Sequence, residues 1–281
     1  MRARRIVLAW HSHNIGGNDY RSNDHVALAA DLETLAASGV RIVPLEHIAA
    51  AQRDRHWPLD GSVEVAISFD DGPRFDVADF EHREWGAQKA FARLLHDAAP
   101  LFGAAPGAIR ATSFVIASPD ARAEMERAPE CGLSDLDGWL GDDWWAHAAA
   151  LGIAIGNHSW DHLHAALRHV AQRDGIRGDF TAIADYGDAD RQVRRASEFI
   201  LGRLQTAAEL PFAHPYGHVA PYLRDVYFPR HRALHRCYAA FSTAGRAIDP
   251  DDSIWALPRF VCGWHWHDAD GLRALIAASG V

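Results

Sequence analysis

The 281-residue sequence holds only three cysteines, Cys131, Cys237 and Cys262, an odd number with no close pairing. That excludes a disulfide framework and favours a reducing compartment. No apolar run approaches the ~20 residues of a membrane helix. The N-terminal run in MRARRIVLAWHSH ends at Trp10 and is too short for the core of an export signal. The expectation is therefore a cytoplasmic protein without a membrane span. Positive charge is also scarce, with 28 Lys+Arg against 37 Asp+Glu and a net charge of −9. A nucleic-acid partner would need a basic face to neutralise phosphates, so that class is excluded. Internal repeats, low-complexity tracts and linkers are absent too. The reading is one domain over residues 1–281.

What is present is alternation. Short β-like runs at 5–10, 40–45, 63–69, 111–117, 152–157, 210–214, 237–243 and 254–261 are separated by helical patterns at 24–38, 84–102, 139–150, 188–209 and 269–278. Strands alternating with helices imply parallel strands joined by crossovers. Seven or eight such units in one domain predict an α/β fold, a distorted (β/α) barrel. Residues 74–83 and 163–187 read as long loops, which in barrels commonly build the cleft. His11, Asp70, Asp71, His158, His214 and Arg259 all fall at or just after strand ends. In a barrel that rim carries the chemistry.

Two clusters have the residue types for a metal centre. Asp70-Asp71-Gly72-Pro73 follows an apolar strand. One carboxylate there can bind a cation while its neighbour takes a proton, although Asp-Gly-Pro is also ordinary turn chemistry. His158 and His162 in GNHSWDHLH stand at i and i+4, which on a helical turn puts both imidazoles on one face. A second pair at this spacing, His231 and His235, lies among Arg230, Arg232 and Arg236. Cations would oppose a divalent metal there, and the pair is read as a solvated helix face. Asp71, His158 and His162 are thus the expected ligands, each about 2.0–2.2 Å from one cation. Of the ten tryptophans, Trp139, Trp144 and Trp145 are expected to pack helix against barrel. Trp160, Tyr216, Trp264 and Trp266 flank the motifs, where an aromatic face can stack on a sugar ring.

These segments resemble the polysaccharide deacetylase family. SFDDGP (68–73) is similar to its first motif, NHSWDH (157–162) to its second and FAHPYG (212–217) to its third, over roughly residues 5–261. The resemblance implies Asp70 as base, Asp71, His158 and His162 as ligands of one divalent metal (zinc, with cobalt or nickel possible), and Pro215 and Tyr216 lining the cleft. It implies a carbohydrate substrate bearing an acylated amine, N-acetyl or also N-formyl or O-acetyl, in surface-polysaccharide biosynthesis. Many members carry an Arg where this chain has Ala213, and Arg259 could supply that guanidinium. The general acid is read as His11, because Trp10-His11 resembles an aromatic-His pair found on an N-terminal strand in permuted branches. His265 and His267 remain its competitors. The Tyr216 backbone N–H is the expected oxyanion donor beside the metal. A ureide or small-amide hydrolase on the same scaffold, a binding module that has lost catalysis, and a two-carboxylate glycosidase are the alternatives.

Overall fold

A computed structural model describes residues 3–131, 133 and 136–278. Its centre is an eight-stranded parallel sheet. In chain order the strands are β1 (Arg4–Trp10), β2 (Arg41–Ile42), β3 (Val63–Phe69), β6 (Ala111–Val115), β7 (Ile153–Asn157), β8 (Leu210–Ala213), β9 (Cys237–Phe241) and β10 (Phe260–Val261), with the small antiparallel hairpin β4 (Phe80–His82) and β5 (Gly86–Gln88) standing apart. The spatial order is β10-β1-β3-β6-β7-β8-β9, with β2 added beside β3. The curl is drawn together by residues 254–261. Leu257 bridges Phe241 on β9, and three residues later Phe260 pairs with Leu8 on β1. The first and last parts of the chain therefore meet over one mouth, as a curled parallel sheet requires.

The strands hold this position because they are buried on both faces. Ile6, Val7, Leu8, Ala9 and Trp10 are all fully buried, the near-continuous apolar run expected of parallel strands covered by helices. Trp10 and Trp266 are tied together beneath the mouth by one buried carboxylate. Both indole N–H groups donate to Asp31 Oδ2, at 3.2 and 3.0 Å. Burial pushes the Asp31 carboxyl up to about 6.

Several expected boundaries shift, each for a local reason. The run at 40–45 is strand only over β2, since Pro44 caps a helix at Leu45–Arg53. A second unexpected helix, Pro119–Arg127, starts where the Ser118 side chain accepts from the Ala121 N–H and Pro119 sits at the first turn. The helix expected from 84 begins at Phe91, because 80–88 forms the hairpin. Residues 254–261 are strand only at their end. The 188–209 helix runs instead from Tyr186 to Leu204, with a π-turn at Asp190–Arg194.

The His231/His235 reading is corrected. His235 is fully buried, donates Nε2–H to the Phe228 carbonyl and accepts the Cys237 N–H at Nδ1. It is a satisfied core histidine, not part of a solvated face. No helix among the described residues is long and apolar enough to cross a membrane.

Candidate metal and catalytic centre

The strand ends deliver the site. β3 ends at Phe69, and the next two residues are Asp70 and Asp71. Asp71 takes a left-handed backbone (φ 71°), as does Gly72 (φ 69°). A side chain at Gly72 would strike Val115, whose Cγ1 would lie 2.6 Å from its Cβ. The motif glycine is therefore required twice over, by sterics and by backbone sign.

The second ligand segment leaves β7 in a similarly constrained way. Ser159, His162 and Leu163 all have positive φ, at 73°, 62° and 46°. With Asp71 and Tyr216 (φ 58°), five of the eight non-glycine residues of positive φ among the described residues lie at this mouth. Each such conformation costs on the order of 1–3 kcal/mol and persists only where its surroundings enforce it. The enforcement is visible. Asn157 Oδ1 accepts the Ser159 N–H, Ser159 Oγ accepts the His162 N–H, and Asp161 Oδ1 accepts the Leu163 N–H. Buried Gln192, in the π-turn, accepts from the backbone of Trp160 and donates to Asp161 at 2.7 Å. A π-turn widens a helix locally, and here it faces this loop.

Asp71, His158 and His162 converge. Asp71 Oδ1 lies 3.4 Å from His158 Nε2 and 3.5 Å from His162 Nε2. Ligand atoms about 2.1 Å from one cation in a tetrahedral array stand roughly 3.4 Å apart. His158 Nδ1–H donates to the Ala213 carbonyl at 3.0 Å, which directs Nε2 toward Asp71. Burial lowers His162 well below the ordinary imidazole value, which favours the neutral form that a metal ligand needs. Asp71 Oδ1 is buried without a hydrogen-bond donor. A carboxylate oxygen and two imidazole nitrogens gathered in a buried pocket make a donor set that suits zinc or a similar divalent metal.

Asp70 is turned the other way, into the barrel. Arg259 grips it with two parallel bonds, Nη1 to Oδ1 at 2.7 Å and Nη2 to Oδ2 at 2.8 Å. The guanidinium is fully buried, and it also donates to Ser68 Oγ and the Ser242 carbonyl. Burial pushes the Asp70 carboxyl up, but the Arg259 charge outweighs it and holds the group below its ordinary value. Ala213, where an Arg was missed, offers only its carbonyl, to His158.

His11 lines the same cavity of about 240 Å³, with Asp70, Asp71, His158, His162 and Tyr216. Its backbone N–H is held by buried Asp24 at 2.7 Å, while its ring Nδ1 is buried without a partner. The competitors are elsewhere. His267 is exposed, and His265 accepts the Val261 N–H within its own turn. Pro215 is buried at the start of the third-motif turn, and the Tyr216 ring sits 4.4 Å from that of His162. Trp160 does not line the cavity. Its ring lies under the Arg195 guanidinium at 3.7 Å and against Phe199, on the helical layer outside the sheet. Trp144 and Trp145 pack in the core as expected, and so does Trp139, which is buried with Phe75, Ala121 and Met125 and also borders the cleft beside His13.

Sequence reasoning missed His13, whose Nε2 lies 3.7 Å from Asp71 Oδ2. Burial lowers it to about 4. The alternation His11-Ser12-His13 just past a strand end was the available signal. It also missed Asp76, which is fully buried and accepts from Ser12 and Ser113 at 2.6 Å each. Burial pushes its carboxyl up to about 7. Through Ser12 it ties the His11–His13 segment to the rest of the mouth.

Among solved structures, the deacetylase PplD of Streptococcus pyogenes, in complex with acetate, superposes with a TM-score of 0.60 at 12% identity, over 98% of this chain and 99% of its own. IcaB of Ammonifex degensii gives 0.59 at 16%, over 99% and 97%. BC0361, a polysaccharide deacetylase of Bacillus cereus, gives 0.59 at 14%, over 98% and 69%. The fold is the polysaccharide deacetylase fold. The sequence itself matches the model of no known family and no curated relative. At such identities the polysaccharide deacetylase fold is what is shared, and the chemistry has to be argued from the residues above.

Proposed function

We propose that the chain is a metal-dependent deacylase that removes the acetyl group from an acylated amine on a carbohydrate. The observation that carries this is the pairing of two differently prepared carboxylates. Asp71 faces the Nε2 atoms of two imidazoles, and adjacent Asp70 is held ionised by a bidentate Arg259. A fold shared with the deacetylase PplD, solved in complex with acetate, supports the same reading. Asp71, His158 and His162 would hold the metal, zinc before cobalt or nickel on this donor set. When bound, it supplies Lewis acidity to the acyl carbonyl and to water.

The chain's own groups do the rest. Asp70, ionised and oriented by Arg259, accepts a proton from the attacking water. The Tyr216 turn borders the position of the developing oxyanion. His11 gives a proton to the departing amine, its buried Nδ1 carrying no competing bond. A well-placed acid of this kind contributes ~10²–10⁴-fold. N-formyl and O-acetyl groups would be cleaved by the same residues. The buried thiols of Cys237 and Cys262 accord with a cytoplasmic setting and with action on a precursor in surface-polysaccharide assembly.

The test is acetate release from N-acetylglucosamine oligomers by zinc-loaded protein. Activity should vanish on chelation and return with added metal. Release that survives exhaustive chelation would sink the reading. Loss of the acid gives a second check. His11→Ala should lower turnover ~10²-fold or more, leave zinc content unchanged and abolish the fall in rate at high pH that deprotonation of the acid produces. An unaltered basic limb removes His11 from the mechanism.

A further inference from the structure

The His11 ring is not gripped at Nδ1, which is buried without a partner. The imidazole is therefore aimed by the backbone that carries it. On one side that backbone is held by Asp24, whose Oδ2 accepts the His11 N–H at 2.7 Å. On the other side it is held by Ser12.

Ser12 is fully buried, while the histidines on either side of it line the cleft. Its carbonyl lies 2.8 Å from His25 Nε2. Its hydroxyl donates to Asp76 Oδ1 at 2.6 Å, a short bond for a hydroxyl donor. Ser12 is thus fixed through both its main chain and its side chain, one residue away from the acid.

Asp76 is itself anchored. It is fully buried on the turn Arg74–Asp76 that follows Gly72-Pro73, and its Oδ2 accepts from Ser113 Oγ at 2.6 Å. Ser113 lies on β6 opposite Phe69, the residue before Asp70. One carboxylate therefore spans from the strands beside the base and the metal ligand to the segment that bears the acid. Burying a carboxyl group is costly, and apolar side chains of similar volume often fill such a space without loss of stability. What they cannot do is fix one orientation of Ser12. Reacting groups need to be held to about 0.5 Å, and a misplacement of about 1 Å costs on the order of 10²-fold.

We propose that Ser12 and Asp76 are a positioning pair for the general acid: Asp76 holds the Ser12 hydroxyl, and Ser12 holds the His11 imidazole at the metal centre. This rests on the deacylase reading, in which His11 is the acid, and deepens it. Neither residue touches the substrate; both act through His11.

The experiment measures acetate release from N-acetylglucosamine oligomers by zinc-loaded wild type, Ser12→Ala, Asp76→Ala and Asp76→Asn, each with His11 intact and with His11→Ala. Ser12→Ala should lower kcat ~10-fold or more, with KM and zinc content near wild type. Asp76→Ala should do the same. Asp76→Asn should keep most of the rate, because an amide can accept from one hydroxyl and donate to the other. In the His11→Ala background the Ser12→Ala and Asp76→Ala losses should shrink to ~2-fold or less, since the group they place is gone. A Ser12→Ala variant with the wild-type kcat overturns the proposal. So do equal losses in both backgrounds, which would mean that the pair supports the whole mouth. If Asp76→Ala does not fold, Ser12→Ala, which removes one hydroxyl, decides alone. A crystal structure of Ser12→Ala gives a readout independent of turnover. The His11 ring should move by ~1 Å or more, or lose its single orientation, with Asp71, His158 and His162 in place. If wild type releases no acetate, the deacylase reading fails and this displacement tests the pair by itself. An unmoved His11 ring overturns it.

Discussion

Asp71→Ala is expected to lose bound zinc and activity together, while Asp70→Asn keeps the zinc and loses only the rate. The two carboxylates are adjacent in sequence, yet their surroundings divide their roles. Asp71 Oδ1 is the atom that both His158 Nε2 and His162 Nε2 approach, and it has no hydrogen-bond donor. Without it two imidazoles remain, too few to hold zinc in a structural or catalytic site. Asp70 does not face those imidazoles; both its oxygens are on Arg259. Replacing one oxygen by an amide leaves the metal ligands in place and removes the proton acceptor. The expected fall is ~10²–10⁴-fold in kcat, with a zinc-to-protein ratio unchanged from wild type by elemental analysis. For Asp71→Ala the ratio should approach zero after dialysis and turnover should reach background. Equal zinc loss in both variants would show that the carboxylates share the metal, and the division of labour would be wrong.

How much of this was legible in the sequence depends on whether a signal is local. The apolar run before Asp70 and the i, i+4 spacing of His158 and His162 are local, and both pointed to the residues that the fold brings together. The two imidazoles do meet, but not for the reason that the spacing suggested. Residues 158–162 are not a helical turn. They form a loop with Ser159 and His162 left-handed, and the convergence is made by Asn157, Ser159, Asp161 and Gln192 bonding around them. The same spacing at His231 and His235 shows the limit, since there the flanking arginines stay outward while His235 turns into the core. Trp160 failed similarly. Sequence adjacency to a motif says nothing of side-chain direction, and this ring points away from the mouth to Arg195. Long-range effects were not readable at all. Nothing local to His13 tells that Asp71 lies beside it, and nothing near Asp76 tells that its donors come from residues 12 and 113. Arg259 was found only because a curled sheet brings its last strand beside its first.

Arg259→Met should cost on the order of 3–5 kcal/mol of stability at neutral pH, because it leaves the Asp70 carboxylate buried and without its counter-charge. Against a typical total of about 5–15 kcal/mol, that is enough to see as a large shift of the denaturation midpoint. The pH dependence separates this cause from simple loss of packing. In the wild type the Asp70 carboxyl is held below its ordinary value. Its contribution is therefore fully present above the unfolded value, near 3.9, and is lost as pH falls through the lower folded value. In the variant burial is no longer opposed by the guanidinium, only by the pull of His158 and His11, and the folded value rises, so the penalty is greatest at neutral pH and shrinks as the carboxyl takes a proton. The stability gap between wild type and Arg259→Met should accordingly narrow as pH falls from 7 toward 5. A gap that stays constant across that range would mean that the guanidinium matters for its packing against Phe114 and not for its charge. The double variant Asp70→Asn/Arg259→Met should recover much of the loss, since no ionised group is then buried unpaired, and the coupling between the two positions is the direct measure of the pair. Activity should follow the same logic. Arg259→Met moves the acidic limb of kcat/KM to higher pH, because the base must now be deprotonated without help, and the rate on the plateau drops as Asp70 loses its fixed orientation.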